Sequence, residues 1–191
     1  SIGPMPRATR AIRAGGCYHL INHGNNRAML FHHPADYAAF VGLIRAAQER
    51  VELDLLALCL MPNHFHLVVR PRRDLDVARW MHWLLTTHAH RYNLAFGTCG
   101  RVWQGRYKAF PIEQDEHLLT VLRYVERNAV RAGLVRRARD WRWGSAAWRL
   151  GPANRTRMLA ELPIRLPRHW QDYVDEPQTS EETAALRACV N

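Results

Sequence analysis

Apolar and polar positions along the chain fall into a short series of patterned stretches. Gly16 to His23 alternates, with Tyr18, Leu20 and the polar Asn22 on one face, and predicts a first strand. It runs into His23-Gly24-Asn25-Asn26-Arg27, a segment dense in turn formers. After Pro34, the residues Tyr37, Phe40, Val41 and Ile44 recur at helical spacing and predict a helix over 35–50. Leu53 to Met61 is strongly apolar and stops at Pro62, which predicts a buried strand. His64 to Arg70 follows at once as its hairpin partner across Met61-Pro62-Asn63. Residues 74–95 predict a second helix, with Trp80, Trp83, Leu84 and Leu94 expected in the core. Arg106 to Glu113 is a fourth strand, and Asp115 is placed to cap a helix over 116–128. Two strands, each followed by a helix, around a central hairpin predict an α+β layer with helices packed on an antiparallel sheet.

Composition narrows the class. At 191 residues, 48% apolar, the chain can bury a real core as one domain with an extension. No apolar run approaches the roughly 20 residues of a membrane span, so no membrane partner is expected. The four cysteines, Cys17, Cys59, Cys99 and Cys189, form no CxxC pair, which argues against a zinc ribbon or a disulfide scaffold and for a reducing cytoplasm. The charge is +10, from 27 basic and 17 acidic residues, and every basic residue except Lys108 is arginine. A GC-rich genome accounts for arginine over lysine, but the sign of the charge points to a phosphate backbone as partner. Positive charge is densest over 101–150, with 11 basic and 5 acidic residues, whereas 171–191 has 1 basic and 5 acidic. The expected organisation is a basic segment 1–14, a domain 15–150 and a C-terminal tail 151–191 that ends acidic.

Two features carry candidate chemistry. In a strand, His64 and His66 share a face, roughly 6–7 Å apart, a spacing at which two imidazoles can share one metal ion. The competing reading is two unrelated histidines at a sheet end. His88 and His90 diverge by about 200° on a helix, and His32-His33 are adjacent, so neither pair can chelate. The second feature is Tyr124 with Asn128, at i and i+4 on one helix face. An amphipathic core-edge tyrosine is the plainer reading of that pair. Together the features suit phosphodiester transfer, with a tyrosine hydroxyl as nucleophile and a cation polarising the phosphate.

The combination resembles the HUH nucleases with one catalytic tyrosine. More narrowly, Gly24-Asn25-Asn26-Arg27, Met61-Pro62-Asn63-His64-Phe65-His66, Trp103-Gln104-Gly105-Arg106-Tyr107 and Tyr124 to Val135 resemble, in order, the REP-associated tyrosine transposases. The resemblance runs from about residue 15 to 150. It implies a ferredoxin-like core whose sheet bears the histidines, with His64, His66 and Asn128 binding Mg²⁺ or Mn²⁺. It implies that Tyr124 attacks the phosphate, leaving a 5′-phosphotyrosine and a free 3′-OH. The implied partner is single-stranded or hairpin DNA of bacterial repetitive extragenic palindromes. The implied setting is the bacterial cytoplasm, nucleoid-associated on DNA, as a monomer or weak dimer. Asn128-Ala129 departs from the family's Asn-Pro, and His23 stands where arginine is common.

Asn25, Asn26 and Arg27 suit base edges, because asparagine pairs with adenine and arginine with guanine; a turn that merely needs Gly24 and Asn25 is the alternative. Trp103, Gln104, Arg106, Tyr107 and Lys108 interleave rings with cations, as a base-stacking strip does, although Trp103 equally suits a core. Arg131, Arg136, Arg137, Arg139 and Arg142 read as a basic face for phosphates. The acidic tail is a candidate lid over the DNA path. Against the strand transferase stands a DNA-hairpin binding protein with a weak or latent nuclease. A water-using metal phosphohydrolase is less consistent, because no carboxylate cluster accompanies the histidines.

Overall fold

The computed structural model describes residues 12–113, 116–151 and 157–179. Along the chain run β1 (Cys17–His23), α1 (Pro34–Arg50), β2 (Leu53–Met61), β3 (His64–Pro71), α2 (Asp76–Phe96), β4 (Lys108–Ile112), α3 (Glu116–Arg131), α4 (Ser145–Arg149) and α5 (Trp170–Asp175). The four strands form one antiparallel sheet in the order β2-β3-β1-β4. This βαββαβ order is the ferredoxin-like arrangement, and the predicted α+β class holds. The predicted cap Asp115 lies outside the described residues.

The sheet is covered on both faces. On one side α1 and α2 pack Tyr37, Phe40, Ile44, Val77, Trp80 and Leu84 against Leu20, Phe65, Leu67 and Val69. On the other, α3 and the C-terminal segments pack Leu122, Val125, Trp170 and Val174 against Cys17, Leu56, Cys59 and Val68. A bulge in β2 between Leu55 and Ala57 lets Leu56 and Ala57 both enter the second layer. Each fully buried leucine or phenylalanine contributes roughly 1.5–3 kcal/mol. Two-sided cover is why β2 reads as apolar on both faces from Leu55 to Met61.

Local chemistry sets the element ends. Pro34 opens α1, and Asp36 Oδ2 accepts the His33 amide at 2.8 Å. α2 ends at Gly97, whose φ of 62° is a left-handed C-cap. Leu94, expected in the core, is 77% exposed, because it sits in the last turn of α2, where the helix has run past the sheet. Trp83 is half-buried, with the Arg50 guanidinium over its ring.

Residues 157–179 pack back onto the body. The Ala160 amide bonds Leu55 O, and α5 lies against α3. There Arg123 and Arg127 donate to the carbonyls of Tyr173, Val174, Asp175 and Glu176. Asp172, Asp175 and Glu176 share a recess with Arg136, Arg137 and Arg139. This part of the acidic tail therefore lies beside a basic patch at the side of α3 and does not cover the sheet end. Those three arginines are exposed, with the carboxylates beside them. The tail's end beyond residue 179 lies outside the described residues.

Candidate functional site

The hairpin between β2 and β3 has a two-residue connection, Pro62-Asn63, so Met61 pairs with His64 and every β3 side chain has a fixed face. His64 and His66 point to the α3 side. On β1 the same parity brings His19 and His23 to that side, with His23 opposite His64 and Ile21 opposite His66. The outcome is a cluster of four imidazoles. His23 stacks on His64 with centroids 4.8 Å apart, and His19 on His66 at 5.1 Å.

Hydrogen bonds assign the tautomers. His64 Nδ1 lies 2.7 Å from Asn63 Oδ1, an acceptor only, so Nδ1 carries the proton and Nε2 keeps its lone pair. The other end of Asn63 donates to Arg27 O at 3.2 Å, which fixes the amide's orientation. His66 Nδ1 lies 2.9 Å from His19 Nε2, while His66 Nε2 is buried without a partner. A buried N–H without an acceptor costs more than an idle lone pair, so Nδ1–H donates to His19 and Nε2 is bare. Burial is the first cause of a lowered pKa throughout this cluster: His19 falls to about 4 and His64 to about 3, and His66 lies well below its ordinary value. Arg131 and neighbouring imidazoles push His64 and His66 further down. All three are neutral at neutral pH, the state that can ligate a cation.

Tyr124 enters from α3. Its ring meets His66 edge-on at 5.6 Å and His19 at 6.1 Å. Arg131, two helical turns on, sits 5.0 Å over that ring and donates a long 3.4 Å bond to Tyr124 Oη. Arg131 also donates to Asn128 Oδ1 at 2.7 Å, and Asn128 Nδ2 donates to Tyr124 O. The i, i+4 pair thus does act together, but Asn128 is buried and its oxygen is occupied by Arg131. Its effect here is to aim a cation at the phenol oxygen.

Tyr124, His64, His66, His23, Arg27, Gln104, Arg106, Lys108 and Arg131 line one cleft of about 500 Å³. Asn25 and Asn26 do not line it; they adjoin Arg27, half-buried and exposed respectively, in a turn that the sequence specifies closely. A Cβ on Gly24 would lie 2.2 Å from Ala28 O, so only glycine fits there. Asn26 and Arg27 have φ of 50° and 60°, a left-handed pair that costs roughly 1–2 kcal/mol per residue and turns Arg27 into the cleft. Trp103 is corrected from stacking surface to core. It is 7% exposed, donates Nε1 to Leu85 O and packs on Phe65, Phe40 and His88. Tyr107 is half-buried, with Arg106 over its ring at 5.9 Å, on the α2 side of the loop.

Sequence reasoning missed His19, Asn22 and Asn63. His19 and His23 alternate on β1 as His64 and His66 do on β3, and that parity was the available signal. Asn22 is buried and ties the strand end to the opposing loop by donating to Gly105 O at 3.1 Å. It also missed Glu126, whose buried carboxylate accepts from Ser145 Oγ (2.7 Å), Arg149 Nε (2.9 Å) and Trp170 Nε1 (2.8 Å).

Among the described residues no group of three or more His, Cys, Asp or Glu is arranged to hold a metal, and no helix is long and apolar enough to cross a membrane. Two imidazoles with bare Nε2 atoms, one of them an orphaned buried nitrogen, do fit two positions of a cation site that an amide or a substrate oxygen completes.

Comparison with known proteins bears on the fold and the family. The solved structure of a REP-associated tyrosine transposase bound to a REP hairpin superposes with a TM-score of 0.62 at 21% identity, over 78% of this chain and 89% of that one. That likeness establishes the fold. A Deinococcus radiodurans R1 protein described as a transposase aligns at 22% identity with a TM-score of 0.43, over 58% of this chain and 88% of that one. No curated protein matches in sequence. The family model described as "Transposase IS200 like" matches residues 14–128, from the entry of β1 to Asn128, a span that holds all four histidines of the cluster and Tyr124. The chain belongs to the IS200-like transposase family.

Proposed function

We propose that this transposase cleaves and rejoins single-stranded or hairpin DNA through a covalent bond to Tyr124. The observation that carries the reading is the phenol of Tyr124 placed in one basic cleft with His64 and His66, whose second nitrogens are bare. In the cleavage step Tyr124 Oη forms a bond to phosphorus and the P–O3′ bond breaks. The downstream strand is left on the enzyme as a 5′-phosphotyrosine, and the leaving 3′ oxygen takes up a proton. Rejoining reverses the step with a 3′-OH as nucleophile. Arg131 holds positive charge beside the phenol oxygen as it loses its proton. Arg106 and Lys108 hold the strand's phosphates, and Arg27 reads a base edge.

His64 and His66 would hold Mg²⁺ or Mn²⁺ through Nε2, and the bound cation supplies Lewis-acid polarisation of the scissile phosphate. The resemblance placed Asn128 as third ligand. Its Oδ1 bonds Arg131, so ligation requires that bond to open. The neighbour's bound REP hairpin supports a palindromic hairpin as the substrate class.

The test is incubation of an end-labelled hairpin with a single-stranded flank and Mn²⁺, read on a denaturing gel. The reading predicts a shortened strand and a protease-sensitive adduct, both lost with chelator. Tight binding with neither product would favour the hairpin-binding protein with a latent nuclease.

Two further results follow from the site. His66→Ala should abolish measurable Mn²⁺ binding by isothermal titration. His19→Leu should weaken it by about 10–100-fold, because His66 then loses the acceptor that fixes its tautomer. His19→Gln, which restores an acceptor oxygen, should recover part of that loss. Unchanged affinity in His66→Ala would remove the cation from the cleft. For DNA, Arg27→Ala should narrow the discrimination between target and scrambled hairpins by about tenfold or more, the worth of one bidentate base contact. Lys108→Ala should weaken both hairpins equally and reduce the salt dependence. Parallel losses in the two variants would make Arg27 a backbone contact.

A further inference from the structure

From Val77 to Ile112 the chain contains no aspartate or glutamate, while it carries Arg79, Arg91, Arg101, Arg106 and Lys108. This stretch is α2, the following loop and β4, and the fold turns it into one side of the molecule. Between α2 and residues 100–107 lie two neighbouring recesses of about 370 and 430 Å³. Leu85 and Thr86 line both of them, so they form one groove. Its floor is apolar, with Met81, Leu85 and Ala89 from α2, and its rim carries His82, His90, Arg101 and Arg106. The groove joins the cleft. Arg106 lines both the cleft and the first recess, and Gly105 both the cleft and the second.

We infer that this groove is a second nucleic-acid subsite, which takes the single-stranded segment of DNA leading away from the cleft over the 104–106 loop. The inference rests on the cleft being a DNA site and adds the path of the flanking strand. An apolar floor with a cationic, acid-free rim is the arrangement that single-stranded DNA uses, with bases against the floor and phosphates on the rim. Tyr107, on the wall with the Arg106 guanidinium over its ring, offers a stacking face. A protein partner's apolar segment would not need two arginines and no carboxylate on the rim. A continuous path also explains why Arg106 is exposed between two cavities and pairs with no carboxylate among the described residues.

The test is fluorescence anisotropy on the full chain with one labelled hairpin, bare or extended by up to about six thymidines on the 5′ or the 3′ side. An extension of one polarity should raise affinity by about tenfold or more, and the responding polarity gives the direction of the strand. In the double variant His90→Glu and Arg101→Glu, both exposed and away from Tyr124 and the histidines, that gain should vanish while affinity for the bare hairpin stays unchanged. No gain from either extension, or a gain that persists in the double variant, overturns the subsite. A concentration-dependent dimer in light scattering, dissolved by the double variant and indifferent to extension, would assign the groove to a second copy of this chain and equally overturn it. Failure of the wild type to bind the bare hairpin would instead overturn the reading of the cleft.

Discussion

Tyr124→Phe is expected to lower strand cleavage by about 10⁴-fold or more and to eliminate the covalent adduct, with hairpin affinity retained. The substitution keeps the ring that packs edge-on to His66 and under Arg131, and it removes only the oxygen proposed as the nucleophile. Because Tyr124 is 4% exposed and held by ring packing, loss of one long hydrogen bond leaves the helix in place. The arginines and Lys108 around the cleft, to which the proposed reading gives the DNA affinity, are untouched. Single-turnover cleavage beside a binding titration separates the two effects. Cleavage at the wild-type rate would assign the attack to water or to another tyrosine.

Glu126→Leu is the largest expected loss of stability, about 3–5 kcal/mol in a urea titration. The Glu126 side chain is fully buried on α3 and gathers Ser145 from the start of α4, Arg149 from its end and Trp170 from α5. Removing the carboxylate leaves Arg149, whose side chain is only 16% exposed, without its charge partner, and strands the Trp170 N–H. Glu126→Gln keeps one acceptor and should lose less. This hub fixes α3 against the sheet, so it also fixes where Tyr124 meets the histidines. A loss under about 1 kcal/mol would mean that apolar packing alone seats the helix.

The sequence made the sheet legible because its strands carry strong local signals. β2 is a nine-residue strand that is apolar except for Asp54, Pro62 ends it, and β3 alternates around His64 and His66. The tyrosine helix was legible from Asp115, placed to cap a helix over 116–128. What stayed hidden depends on contacts distant in sequence. His19 is informative only once β1 is known to pair with β3, 47 residues away. Glu126 looks like a solvated helix charge until α4 and α5 are laid over it. Trp103 could be stacking surface or core, and burial decided for core because α2 brings Leu85 to its indole N–H. Leu94 failed in the opposite sense, since helical periodicity cannot show where a helix outruns the surface it packs on. The C-terminal residues 157–179 were read by charge alone. Their apolar members, Leu162, Ile164, Leu166, Trp170 and Val174, bind them to the second core layer.

The central claim is a covalent bond between Tyr124 and the 5′ phosphate of the cleaved strand. It is tested most directly by trapping the adduct with a hairpin substrate and Mn²⁺, trimming the DNA with nuclease and locating the remaining nucleotide by tandem mass spectrometry. The expected result is one modified peptide, with the phosphonucleotide on Tyr124. A modified residue elsewhere, or cleaved strands with a free 5′ phosphate and no modified peptide, would contradict it.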